Sequence, residues 1–273
     1  MAGQWLRFGD IVHPVLGHLD RALERGAHAE CVRRRICLGG TAVSGLLAFD
    51  TSGETMHVGL CVGDRQWIYE SAGGAKASSD LLPTILALLG RAGATLADLD
   101  AIGFGRGPGA FTGLRTACSV AQGLALGAGK PVLPIDTLMA VAEDARQSAP
   151  QLRVWAAVDA RMDQIYAAQF QFEQGLWRVL DAPALATVET LNAKWHEQAP
   201  QHVAGNALTG FAGRLESGSA LCHAQALPRA AALLSLARAS WAQGGALDAG
   251  DAVPSYVRDK VAQTVAERAT LKA

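Results

Sequence analysis

The stretch that most constrains this chain is Gly105-Arg106-Gly107-Pro108-Gly109-Ala110-Phe111-Thr112-Gly113-Leu114-Arg115. The apolar run over 99–104 ahead of it predicts a buried strand, and the Ala- and Gly-rich run over 112–128 predicts a helix. Glycines at 105, 107 and 109 permit positive φ or close backbone approach between the two. Thr112 is the expected N-cap, its hydroxyl accepting from an orphan amide of the first turn. A strand, a glycine turn and a helix aim free N–H groups and a positive helix end at one spot, which suits an anion. The pattern also fits a tight turn with no ligand. Gly113 is followed by Leu114 rather than the Lys-Ser/Thr of a Walker loop, and Gly105-x-Gly107-x-x-Ala110 meets only a loose dinucleotide fingerprint.

The elements around this motif read as follows. An apolar run at 46–50 predicts a strand covered on both faces, and the alternation of Met56, Val58, Leu60 and Val62 with polar or small residues predicts a half-buried one. With a third strand at 66–70, short turns make an antiparallel meander, which argues against a dinucleotide-binding oxidoreductase. A helix over 80–91, capped by Ser79, carries two apolar stripes. Leu82, Leu86 and Leu89 form one; Leu81, Ile85 and Leu88 form the other, turned by about 100°. One stripe serves the core, and the other implies either deeper burial or a surface for another chain. The 112–128 helix is lined by small residues, Ala117 and Ala121 among them, that let a neighbouring helix come close. A strand at 131–135 and a helix at 138–147 complete the first half.

Ser148-Ala149-Pro150 marks a boundary. The second half opens like the first: an apolar strand at 154–159 ending in Asp, then an antiparallel neighbour at 164–172. Helices at 188–198 and 229–243 and a strand at 202–204 follow, with Gly205-Asn206-Ala207 as a weaker ligand loop. The repeat predicts two related α/β domains, 44–150 and 151–273, facing across a cleft. Residues 1–43 fit none of this and are expected to be a disordered extension or the product of a misplaced start; an arm using Arg33, Arg34 and Arg35 is the alternative.

A net charge of −1 gives no global field toward nucleic acid or anionic lipid. The cysteines at 31, 37, 61, 118 and 222 are scattered and odd in number, which suits reduced thiols in a cytoplasm. The longest apolar run, 36–49, is too short for a membrane span, which needs roughly 20 residues. No H-x-x-x-H or H-E-x-x-H spacing provides a metal site, and no Gly-x-Ser-x-Gly elbow provides a nucleophile. No catalytic residue is assigned.

The whole glycine string resembles the signature of the bacterial tRNA threonylcarbamoyladenosine biosynthesis protein TsaB family. Further matching pieces are Leu47-Ala48-Phe49-Asp50-Thr51-Ser52, Leu81-Leu82-Pro83, Asp159-Ala160-Arg161-Met162 and Pro254-Ser255-Tyr256-Val257-Arg258, so the likeness runs from about Leu46 to about Val261. The resemblance implies two actin-like (ASKHA, RNase H-like) domains. In such a site Asp50 and Asp159 would face the cleft and hold a Mg²⁺–phosphate group through water. Asp159 is expected instead to bond its own turn; Asp50 is open between the two roles. The candidate anion or nucleotide loop is thus Asp50, Thr51, Gly107, Gly109, Thr112 and Gly113.

The resemblance further implies a partner subunit that is no enzyme by itself. It would support threonylcarbamoyl transfer to the adenosine 3′ of the anticodon in ANN-reading tRNAs, with the paralogue TsaD and the ATPase TsaE. TsaD relatives hold a metal through a His pair on the helix matching 80–91. Here Ala75-Lys76-Ala77-Ser78-Ser79 has no His, so no metal, no tight cofactor and no peptidase activity are expected. ATP or ADP with Mg is expected only at the joint interface, and tRNA only through the complex. The expected interface is Leu81, Leu82, Ile85, Leu88, Leu114, Ala117 and Ala121, which would also serve a homodimer of the isolated chain. The alternative is an independent ATP-dependent phosphotransferase of the actin-like class.

Overall fold

The computed structural model describes residues 45–258 and the backbone of 30–33. Expectations for the rest of 1–43 and for the stretch beyond 258 lie outside the described residues. The first sheet contains β1 (Glu30–Arg33), β2 (Gly45–Asp50), β3 (Thr55–Val62), β4 (Arg65–Ala72), β5 (Ala101–Gly107) and β6 (Val132–Asp136), in the order β1-β4-β3-β2-β5-β6. The second contains β7 (Leu152–Arg161), β8 (Gln164–Glu173), β9 (Leu176–Ala186), β10 (His202–Ala204) and β11 (Leu221–His223), in the order β11-β10-β7-β8-β9.

The repeat read from the sequence is present. Apart from β1, each sheet is a three-strand antiparallel meander whose first strand pairs in parallel with the fourth, which pairs in parallel with the fifth. Strand β1 corrects one expectation: residues 30–33 of the extension pair antiparallel with β4, at the sheet edge. Strands β9 and β11 carry no clear apolar alternation and were not predicted.

The helices are α1 (Ala77–Ala92), α2 (Phe111–Ala128), α3 (Thr137–Arg146), α4 (Val188–Glu197), the short α5 (Ala207–Gly210) and α6 (Ala230–Ala242). Both N-caps expected from sequence are displaced. Lys76 holds the N-cap position of α1 and Ala110 that of α2, neither with a side-chain bond. The hydroxyl of Ser79 donates instead to the Lys76 carbonyl, at 2.8 Å. Thr112 lies inside the helix, where its carbonyl accepts from the Thr116 hydroxyl at 3.0 Å.

Strand alternation distributes the cores. Leu47, Phe49, Met56, Val58 and Leu60 face α1 and α2, while Leu46, Ala48 and Cys61 turn to the opposite face. That opposite face is covered by Leu233, Leu234, Leu236 and Ala237 of α6, a helix from the second half of the chain. Conversely Leu138, Val141, Ala142 and Ala145 of α3, from the first half, pack on Leu152, Val154, Ala156 and Phe170 of the second sheet. The other face of that sheet, with Trp155, Ala157 and Ile165, receives α4 and α5. Gly59 permits the exchange, because a Cβ there would touch Leu234 at 2.8 Å. After α6 the chain returns along the first lobe, where Val132 and Leu247 exchange backbone bonds of 2.9 Å. Among the described residues no helix is long and apolar enough to cross a membrane.

The strands therefore divide near residue 150 but the helices do not. A fragment covering 44–150 lacks α6 and leaves Leu46, Ala48 and Leu133 bare, so it is expected to show no cooperative thermal transition by circular dichroism. A sharp two-state melt of that fragment would mean that the first lobe closes its core without α6.

Candidate functional site

The two lobes enclose a cleft of about 620 Å³. Its first wall is the turn after β2 with the loop Pro108–Phe111; its second is Val158–Met162 with Asn206; its floor holds His57, Thr137 and Val141. The turns after β2 and β7 are equivalent in the repeat and are built alike. Asp50 Oδ1 accepts from Ser52 N at 2.6 Å, and Asp159 Oδ1 accepts from Arg161 N at 2.7 Å. Each aspartate, at the end of β2 and two residues from the end of β7, bonds the amide two residues on. This is the bond expected for Asp159, and Asp50 makes the equivalent one.

Asp50 does more than close its turn. It is fully buried, and its second oxygen accepts from the Thr137 hydroxyl at 2.7 Å. The same Thr137 oxygen accepts from Gly107 N at 3.2 Å. The carboxylate therefore joins β2, the glycine loop and the start of α3.

The glycine string lies down on the Asp50–Ser52 turn. A Cβ on Gly105 would overlap the Asp50 carboxylate, and one on Gly113 would overlap the Thr51 carbonyl. Thr51 Oγ1 donates to the Gly113 carbonyl at 2.7 Å, and Ala110 N donates to the Ser52 carbonyl at 2.8 Å. Gly109 packs on Ser52. Gly107, at φ +114°, is covered by the Ser255 carbonyl, 2.9 Å from where its Cβ would be. Of the expected loop, Asp50, Thr51, Gly107, Gly109 and Gly113 are thus brought together, with Thr51 bonded to Gly113 and Gly107 to Thr137. Thr112 stands apart on the exposed side of α2.

Two contacts cross the cleft. Arg161 of the second lobe pairs with Glu54 of the first. The strap 254–258 does the same on another side. Ser255 N donates to the Arg106 carbonyl at 2.7 Å, and Arg258 donates to the Ala160 carbonyl at 3.1 Å and to Gln164 Oε1 at 2.8 Å. Between these anchors Tyr256 stacks at 5.2 Å on Phe111 and accepts from Arg115 Nε at 3.1 Å. Sequence reasoning noted this motif only as part of the resemblance; its bridging role requires the fold.

The expected interface residues are mostly interior. Leu81, Ile85, Leu88, Leu114, Ala117 and Ala121 are each at most 1% exposed, within the chain's own core. The Leu81, Ile85 and Leu88 stripe is core, and of these residues only Leu82, 42% exposed, reaches solvent. Among the described residues no group of three His, Cys, Asp or Glu side chains is placed to hold a metal ion. Burial raises the Asp136 carboxyl above its usual range, against the pull of amide bonds from Met139 and Leu138 at the start of α3.

Duplicated mixed sheets with a cleft between them define the actin-like class of α/β proteins. The family model described as TsaD, tRNA N6-adenosine threonylcarbamoyltransferase, matches residues 73–216. The tRNA threonylcarbamoyladenosine biosynthesis protein TsaB of Escherichia coli (strain K12) is 33% identical over 223 residues, covering 80% of this chain and 96% of that protein. The protein of the same name from Haemophilus influenzae is 34% identical over 227 residues, covering 79% and 94%. A solved structure, YeaZ from Pseudomonas aeruginosa, is 39% identical with a TM-score of 0.71, covering 78% of this chain and 99% of that one. The chain belongs to the TsaB (YeaZ) family.

The packing of the glycine string yields a paired test. Gly113→Ala is expected to destabilise the protein by about 1–3 kcal/mol in urea unfolding, because backbone must move to admit the methyl. Gly123→Ala on the same helix has no atom within 4 Å of the new Cβ, and is expected to stabilise by about 0.5–1 kcal/mol. Equal effects at the two sites would mean that the loop does not seat on Thr51.

Proposed function

We propose that this chain works in threonylcarbamoyladenosine formation in tRNA as the partner subunit of a TsaD paralogue, without a catalytic centre of its own. The observation that carries the reading is the match to two TsaB relatives over 94–96% of their length. The TsaD paralogue would transfer the threonylcarbamoyl group to the adenosine 3′ of the anticodon in ANN-reading tRNAs, and the ATPase TsaE would complete the assembly. Two features support a supporting rather than a chemical role. The stretch Ala75-Lys76-Ala77-Ser78-Ser79 offers no imidazole where TsaD relatives hold metal. Asp50, the carboxylate best placed for a phosphate-bound cation, already has both oxygens engaged by the chain itself.

The contact with the paralogue runs over the outward faces of α1 and α2, where Leu82 is exposed and Leu86 half-buried. The same faces would pair two copies of the isolated chain. ATP or ADP with Mg binds at the joint interface rather than to this chain alone, and tRNA is reached through the complex. An independent phosphotransferase is disfavoured because the glycine loop is seated on Thr51 and Ser52.

Co-elution of the purified chain with its His-pair-bearing paralogue tests the reading. The pair is expected to elute together, and modification of ANN-reading tRNA to require both. Leu82→Asp is expected to weaken the pair about tenfold or more while leaving the melting temperature unchanged. Failure of the wild-type proteins to associate, or full modification without this chain, would overturn it.

A further inference from the structure

The floor of the cleft holds a buried imidazole that the proposed function does not use. His57 is 1% exposed, yet neither ring nitrogen makes an aligned hydrogen bond within the protein. It lies on β3, between Asp50 of β2 and Glu70 of β4 in the sheet register. Nδ1 stands 3.2 Å from Glu70 Oε1, and this contact is the main reason the Glu70 carboxyl lies below its ordinary range. The other charged groups facing the ring are Asp144 of α3 and Arg229 ahead of α6, which pair with each other; Arg229 Nε also lies 4.0 Å from Glu70 Oε1. A carboxylate beside Nδ1 holds the proton there and leaves Nε2 as an acceptor in the neutral ring. A buried polar atom without a partner is unfavourable by about 1–3 kcal/mol, so such atoms in a cleft mark a place for a ligand group.

The surroundings define what that ligand is. The cleft has a volume within the usual range for small-molecule sites, roughly 300–1,000 Å³. Its walls near the floor are apolar: Leu114, Val141, Val158 and Ala226. The charged groups at its mouth neutralise one another, Arg161 pairing with Glu54 and, at 3.7 Å, with Asp159. The glycine loop is seated on Thr51 and Ser52.

We propose that the cleft is a binding site for a small uncharged molecule with an apolar body and one O–H or N–H group, donated to Nε2 of His57. The site lies apart from the outward faces of α1 and α2, so it does not depend on the partner reading. Binding requires the neutral imidazole.

Phenol is the probe, titrated into the full-length chain with ¹⁵N-labelled histidines and followed by NMR. Phenol is expected to bind with a millimolar dissociation constant and to shift the Nε2 resonance of His57. His57→Phe is expected to weaken binding about tenfold. Val158→Trp, which narrows the cleft from its second wall, is expected to abolish it, and serves if the His57 variant does not fold. Benzoate or inorganic phosphate binding in preference to phenol would overturn the assignment. So would phenol binding that leaves His57 unshifted, or no binding of phenol to the folded wild-type chain.

Discussion

Asp50 is the knot on which the rest of the molecule depends. Its carboxylate is fully buried, and burial of a charge is unfavourable by several kcal/mol unless hydrogen bonds replace water. Ser52 N–H and the Thr137 hydroxyl provide those bonds, and through Thr137 the carboxylate reaches Gly107. Three segments far apart in sequence thus meet at one side chain. The glycines at 105 and 113 are explained by the same meeting, since any side chain there would push the loop off the Asp50–Ser52 turn. The feature that reads locally as an anion loop is, in the folded chain, also a clasp between β2 and α2.

Most of the architecture was legible in the sequence. Strands β2 to β5 and β7 alternate or run apolar with short turns between them, and the Asp at the end of β2 and again near the end of β7 exposed the repeat. What failed did so for physical reasons. Strand β9 is an edge strand with exposed Leu176, Val179 and Leu180, an internal Pro183 and shifts of register, so its apolar pattern carries no period. Helix pattern gives the apolar face of α3 and α6 but says nothing of which sheet receives it, and each crosses to the other lobe. Of the two stripes of α1, Leu81, Ile85 and Leu88 are core, while Leu82 and Leu86 of the other remain exposed or half-buried.

The candidate site was less legible. Sequence spacing placed Asp50, Thr51 and the glycines in one neighbourhood, correctly, but not whether their polar groups face outward or one another. Thr112 failed because Ala110 takes the N-cap position. His57 drew no attention, since one histidine in an alternating strand looks like any half-buried residue. Its isolation shows only when Glu70, Asp144 and the cleft floor are assembled around it. The strap at 254–258 is similar: its residues matter because the fold brings Arg106 and Gln164 within reach of one short segment.

The exchanged helices bear on how the protein is made. A ribosome delivers β2 to β6 long before α6, so during synthesis the first lobe leaves Leu46, Ala48, Leu133 and Ile135 open to any apolar binder. Helix α3 waits likewise for strands β7 and β8. Neither lobe can be finished while the other is still being translated, and each exposes apolar surface until its exchanged partner emerges. Completion is a single late event, in which α6 seals the first sheet and the strap then draws the two lobes together.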